Sequence, residues 1–316
     1  MRRRSPNSFR WLLALALPVG LLLSGCASLG GDKADGPSEG LYDVLYEGKS
    51  KVAFGTELPS GSAAEAMRRG DIAALDGDLD KALFHYIHVL ELDEGSAEAL
   101  EKIGRIHAVR GKAALAEMGY RWSLQIDPNR PQALAGLGVL LLKQRKYEEA
   151  KQNLAKAVSL EPGLAEAHNA LGVIADLDRD FASAQAHYEK ALAATPRVAS
   201  LHNNLGYSRY LEGNWKQAIA AYRKALLLDP RYERAWRNLA LVYARQKRYE
   251  QAVEALSKVE ELPKAYNDIG YIAMMEGRLD TARRYFAEAK RLSPQFYALA
   301  DENERRVAIL QGHAGP

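Results

Sequence analysis

The stretch QALAGLGVLLLKQRKYEEAKQNLAKAVSLEP, Gln132 to Pro162, decides the fold. Leu134, Leu137 and Leu141 fall on one stripe of a first helix, and Leu154, Ala157, Val158 and Leu160 on one stripe of a second. Gly138 and Ala150 are the small residues at which two antiparallel helices can cross closely, and Pro162 stops the second helix. In both directions the same landmarks return at a spacing of 34: Gly70, Gly104, Gly172 and Gly206, continued by Ala240; Ala82, Ala116, Ala184, Ala218 and Ala252; Pro128, Pro196 and Pro230. A register held this strictly means one helix hairpin copied along a solenoid. Each hairpin leaves an apolar face uncovered, so neighbours stack to bury it and stability becomes roughly a sum of repeat and interface terms.

The pattern resembles the tetratricopeptide family, W-x2-L-G-x2-Y followed by A-x3-F and P. Trp236, Leu239, Ala240, Tyr243 and Ala252 carry it in the sixth unit, and Tyr86, Tyr120, Tyr188, Tyr222 and Phe286 fill the aromatic site elsewhere. The resemblance implies an all-α, right-handed α-solenoid of about seven tetratricopeptide helix hairpins with a C-terminal cap helix. The units read as 63–96, 97–130, 131–164, 165–198, 199–232, 233–262 and 263–296, with 297–316 as cap helix and tail. The first unit departs, with Val89 for alanine and Glu94 for proline, as a terminal repeat does. Ala240 to Gly270 spans only 30 residues, one lost before Pro263 and three after it. That shortening reads as a trimmed inter-repeat turn or as a local change of superhelix twist.

At the start, Arg2, Arg3, Arg4 and Arg10 precede the thirteen largely apolar residues Trp11 to Leu23, and Leu23-Ser24-Gly25-Cys26 follows. A basic n-region, a short apolar run and small residues at the cut make residues 1–25 an export signal, too short for a stable membrane span. The tetrad resembles the lipobox of bacterial lipoproteins, which implies cleavage before Cys26 and three acyl chains on that residue. Cys26 is the only cysteine in the chain, and Ala27 in place of aspartate implies sorting to the outer membrane, facing the periplasm. Acyl chains bury about 0.8 kcal/mol per methylene, so several of them form an essentially permanent anchor.

Without the signal the balance is 39 basic to 40 acidic residues, a net charge of −1 in place of the +3 of the full chain. A near-neutral surface carries no electrostatic footprint for nucleic acid. Residues 26–62 read as lipidated N-terminus and tether; as a flexible chain of about 35 residues its r.m.s. reach is on the order of 30 Å. Leu41, Tyr42, Val44, Leu45, Tyr46, Val52 and Phe54 are too apolar for a pure spacer. They read as a cap on the first repeat or as a partner-docking segment.

In tetratricopeptide arrays the first helices line a concave groove. The register then puts Asn169, Asn203, Arg237 and Asn267 in equivalent groove-facing places, with Tyr207, Tyr210, Tyr271 and Met274 a turn further on. Asparagines and an arginine suit the backbone or carboxylate of a peptide-like segment, and tyrosines supply stiff amphipathic contact area; inter-repeat hydrogen bonding is the competing role for the asparagines. Catalytic patterns are absent: His85 and His88 lie at i, i+3 near Asp78 and Asp80, but no third ligand is motif-placed and the acids sit in the turn common to the repeats. No HExxH, nucleophile elbow or phosphate loop occurs, and nothing calls for a cofactor. An enzyme is not expected.

The body also resembles the TadD-like lipoproteins of Flp/Tad pilus assembly, in Leu201-His202-Asn203-Asn204-Leu205-Gly206-Tyr207, Asn238-Leu239-Ala240-Leu241-Val242-Tyr243 and Ala265-Tyr266-Asn267-Asp268-Ile269-Gly270-Tyr271-Ile272-Ala273. That resemblance implies a pilotin-like role, binding a secretin or other pilus-assembly protein. The type IV pilus pilotin family shares lipobox and repeats, and an adaptor docking periplasmic peptidoglycan hydrolases or proteases is a reading of another class.

Overall fold

The computed structural model describes residues 42–47, 61–293 and 297–312; the expected export signal over 1–25, the expected lipidation site Cys26 and most of the expected tether lie outside the described residues. Among the described residues there are fifteen α-helices and no strand. Seven hairpins follow in order: α1 (Ala63–Leu75) with α2 (Leu79–Leu92), α3 (Ala97–Val109) with α4 (Ala113–Ile126), α5 (Pro131–Lys143) with α6 (Tyr147–Leu160), and α7 (Ala165–Leu177) with α8 (Phe181–Ala194). Then come α9 (Ala199–Leu211) with α10 (Trp215–Leu228), α11 (Glu233–Arg245) with α12 (Tyr249–Leu256), and α13 (Leu262–Met275) with α14 (Leu279–Leu292). The helix α15 (Ala298–Leu310) packs on the last hairpin. Each helix packs on the next in sequence, the arrangement of an α-solenoid.

Local chemistry sets the helix boundaries. Ser62, Asp78, Ser96 and Asp180 accept from a backbone N–H three residues on, capping α1, α2, α3 and α8. Inside each hairpin the chain turns through a left-handed residue, at Gly77, Gly111, Arg145, Arg179, Gly213, Lys247 and Gly277. Glycine adopts this conformation freely, whereas Arg145, Arg179 and Lys247 carry a Cβ that costs about 1–2 kcal/mol there.

The core explains the register. The alanines Ala82, Ala116, Ala150, Ala184, Ala218, Ala252 and Ala282 are all fully buried at helix crossings. In four hairpins the aromatic ring of the second helix packs against a glycine of the first: a Cβ on Gly172 would stand 2.6 Å from the Tyr188 ring, and one on Gly70, Gly206 or Gly270 would stand 2.5, 2.8 and 2.8 Å from Tyr86, Tyr222 and Phe286. In the third hairpin Leu154 takes this place over Gly138.

The shortening lies elsewhere than in an inter-repeat turn. Helix α12 has 8 residues where each of the other second helices has 14. Pro263 sits in the first turn of α13, so it opens a helix in place of closing one. A residue without an N–H fits there because that N–H has no intrahelical partner.

At the other end, a 3-10 helix, Asp43–Tyr46, buries Leu45 and Tyr46 in the core of the first hairpin, and Glu47 accepts from Arg110 at 3.0 Å. Helix α2 is buried at every position from Ala82 to Leu90. Of the apolar residues in 41–54, those described thus cap the first repeat, with Val44 exposed; Leu41, Val52 and Phe54 lie outside the described residues.

Candidate partner-binding groove

Successive first helices touch: α3 with α5, α5 with α7, α7 with α9, α9 with α11, α11 with α13, and α13 with α15. Second helices make no comparable contact among the described residues, so the first helices form the inner wall. Two hollows open in it. One of about 500 Å³ is bordered by Asp71, Leu75, Arg105 and Val109, and one of about 430 Å³ by Glu101, Tyr120, Val139, Lys143 and Glu166. Gly136 makes the second possible, since a Cβ there would come within 2.4 Å of Cζ of Tyr120.

The asparagines turn along the wall in place of facing out from it. Nδ2 of Asn238 donates to Oδ1 of Asn203 (2.9 Å), Nδ2 of Asn203 to Oδ1 of Asn204 (3.3 Å), and Nδ2 of Asn204 to Oδ1 of Asn169 (2.8 Å). A shorter relay runs from Asn303 to Asn267 (3.0 Å) and on to Asp268 (3.2 Å). Asn203 and Asn267 are buried, and an unpaired amide there would cost about 1–3 kcal/mol, so their polar groups bond the next repeat and are not offered at the surface. Asn169 is half-buried at the end of its relay, and Met274 is buried.

Toward the fifth to seventh hairpins, what the wall does present is aromatic and cationic. Tyr207 and Tyr271 are exposed, and the ring of partly buried Tyr210 lies 6.1 Å from that of Tyr207. Arg237 is exposed and donates to Glu260 at 2.8 Å; Lys264 donates to Glu260 (2.7 Å) and Asp268 (2.6 Å), and Arg245 to Glu276 (3.2 Å). Sequence reasoning missed Arg234, Arg245 and Lys264. The register held a signal for them: Arg234 and Lys264 match Glu166 and Ser200 at the start of the first helix, and Arg245 matches Leu177 and Leu211 at its end.

Two histidines stand where the family pattern has tryptophan. Nε2 of His168 and of His202 lies 3.1 and 3.0 Å from the carbonyls of Pro162 and Pro196, as Nε1 of Trp236 donates to Pro230 at 2.9 Å. A proton on Nε2 leaves Nδ1 of His168 to accept from Nδ1 of His187 at 3.0 Å. Burial pushes His168, His187 and His202 below the ordinary histidine value. The other histidine pair is structural: His85 is buried edge-on to Phe84, and Nδ1 of His88 lies 2.7 Å from Glu91. Asp78 caps α2 and Asp80 pairs with Arg110. Among the described residues no group of three potential ligands gathers for a metal.

Residues 135–199 match the tetratricopeptide repeat model, 206–247 a TPR repeat model, and 233–265 and 263–296 a further tetratricopeptide repeat model. These hairpins are tetratricopeptide repeats. A tetratricopeptide repeat protein from Parabacteroides merdae has a similar fold, at 16% identity over 79% of this chain and all of that one, with a TM-score of 0.51. The pilF protein of Pseudomonas aeruginosa is 21% identical over 66% of this chain and 96% of its own, with a TM-score of 0.50. A chain of the Cut9–Hcn1 APC/C hetero-tetramer is 18% identical over 75% and 48%, with a TM-score of 0.57. At such identities the likeness is one of fold. No curated protein matches the chain significantly. Tetratricopeptide repeats generally serve as non-enzymatic interaction scaffolds that take peptide-like segments on their concave side.

Proposed function

We propose that this protein is an outer-membrane lipoprotein of the periplasmic face that acts as a pilotin-like scaffold in Flp/Tad-type pilus biogenesis. Its acylated Cys26 anchors it, and its repeat groove holds a segment of a secretin or other assembly subunit. The observation that carries the groove reading is the wall of first helices, with Tyr207 and Tyr271 exposed beside Arg237. Rigid aromatics next to arginine are the composition of interaction hot spots. The lipobox around Cys26 supports the anchor, and the TadD-like stretches around Asn203, Tyr243 and Tyr271 support the pilus assignment. Fold likeness to the pilF protein of Pseudomonas aeruginosa accords with that reading. Catalysis has no part in it.

The test is a crosslinked pull-down of the intact lipoprotein from its own envelope, with Cys26→Ala as the comparison. A secretin that dominates the catch and loses its outer-membrane position in the Cys26→Ala strain is the expected result. Peptidoglycan hydrolases or proteases in its place would make the array an envelope adaptor.

A further inference from the structure

The inner wall turns opposite charges outward at its two ends, because its ion pairs are stacked in opposite order. Near repeats six and seven the Glu260 side chain is only 4% exposed and lies under Arg237 and Lys264, which are 43% and 49% exposed. Arg245 likewise stands over the more buried Glu276. Arg234 is exposed and has no ion-pair partner among the described residues. Toward repeats one and two the order reverses: Lys102 is 13% exposed beneath Asp71 and Glu98, which are 44% and 47% exposed. Glu101, Arg105, Lys143 and Glu166 are the other charges bordering the hollows at that end. Buried acids hold the cations in place, yet what a ligand meets at contact range is the outward N–H donors.

We infer that the groove takes an acidic segment, its carboxylates seated on Arg234, Arg237, Arg245 and Lys264 and its apolar side chains against Tyr207 and Tyr271. This rests on the groove reading proposed above and adds the chemistry of the occupant and its direction. Arg237 is bonded to Glu260 through Nη1, so its other N–H groups remain for a carboxylate. The cations and tyrosines span α9 to α13, two helix spacings of about 8–10 Å each, which an extended chain crosses in roughly six residues. The acidic end therefore lies at repeats six and seven, and the end directed toward Asp71 and Glu98 is not acidic.

The experiment uses the full chain in detergent and three fluorescein-labelled twelve-residue peptides. They share one leucine- and tyrosine-bearing half, and the other half carries four glutamates, four glutamines or four lysines. Fluorescence anisotropy at low salt should show the glutamate peptide binding roughly tenfold tighter than the glutamine peptide, with the lysine peptide weakest and the preference fading as salt rises. Arg234→Glu leaves no buried partner orphaned; it should reduce binding of the glutamate peptide roughly tenfold with the helical melt unchanged. Equal binding of the glutamate and glutamine peptides, or an unchanged Arg234→Glu, would overturn the acidic assignment. The groove reading fails separately, if a chain with Tyr207→Asp and Tyr271→Asp captures its envelope partner as well as the native one does.

Discussion

Gly119 on α4 is the residue whose replacement by alanine tests the close packing of the array most sharply. A Cβ at 119 would stand 2.8 Å from Cα of Gly104, 2.9 Å from its nitrogen and 3.0 Å from the carbonyl oxygen of Leu100. All three are backbone atoms of α3, so no side chain can swing aside and the helices must part by roughly half an ångström. Overpacking of this kind costs about 1–3 kcal/mol, and alanine's better helix propensity returns about 1 kcal/mol. Contact with rigid backbone places the first figure near its upper end, so the net loss is about 1–2 kcal/mol. The thermal midpoint should fall by roughly 2–4 °C for each kcal/mol. Repeat arrays open locally, so amide exchange should quicken first in α3 and α4 and leave α13 and α14 as they were. Gly163→Ala is the control: nothing lies within 4 Å of a Cβ there and its φ is not positive, so its melt should hold. A Gly119→Ala array that melts at or above the native midpoint would refute the reasoning, as would exchange that quickens evenly along the chain.

Three further outcomes follow from the same structure. His107, His168, His187 and His202 are held below the ordinary histidine value by burial, so on acidification the unfolded chain takes up protons before the folded array does. Stability is then full above about pH 6.5 and is lost as the pH falls below it; urea midpoints from pH 8 to 5.5 should decline, and a flat profile would count against burial as the cause. Asn203→Ala strands the amide of Asn238 and the carbonyl of Asn204, so it should cost about 1–3 kcal/mol in a urea melt; no change would mean that the relay contributes nothing. Arg145→Gly, Arg179→Gly and Lys247→Gly relieve left-handed crowding and should each raise stability by about 0.5–1 kcal/mol, a gain that a calorimetric midpoint would show or deny.

Much of the fold was legible in the chain. The 34-residue register of glycine, alanine and proline is set by which residues can stand at a helix crossing or end a helix, and both are properties of single residues. Hence the hairpins and the small-residue crossings followed from Gln132 to Pro162 and its copies, whereas the seating of Tyr86, Tyr188, Tyr222 and Phe286 on the glycines of the first helices came from the structure. The shortening was visible as a count, but whether turn or helix was lost depended on how Leu256 to Leu262 packed. The groove was less legible. Asn203 and Asn267 stand at the expected register positions, yet a register gives only the face of a helix, and a side chain at the edge of that face turns toward whichever neighbour satisfies it.

The sequence by itself determined the repeat and the all-helical class, because each depends on residue type and spacing along one chain. Only the tertiary structure decided that the asparagines bond repeat to repeat, that Gly119 abuts Gly104, and that Glu260 lies beneath Arg237 while Lys102 lies beneath Asp71. These are relations between residues 15 to 36 positions apart, and the order of burial within an ion pair is fixed by helix packing, which no spacing along the chain encodes.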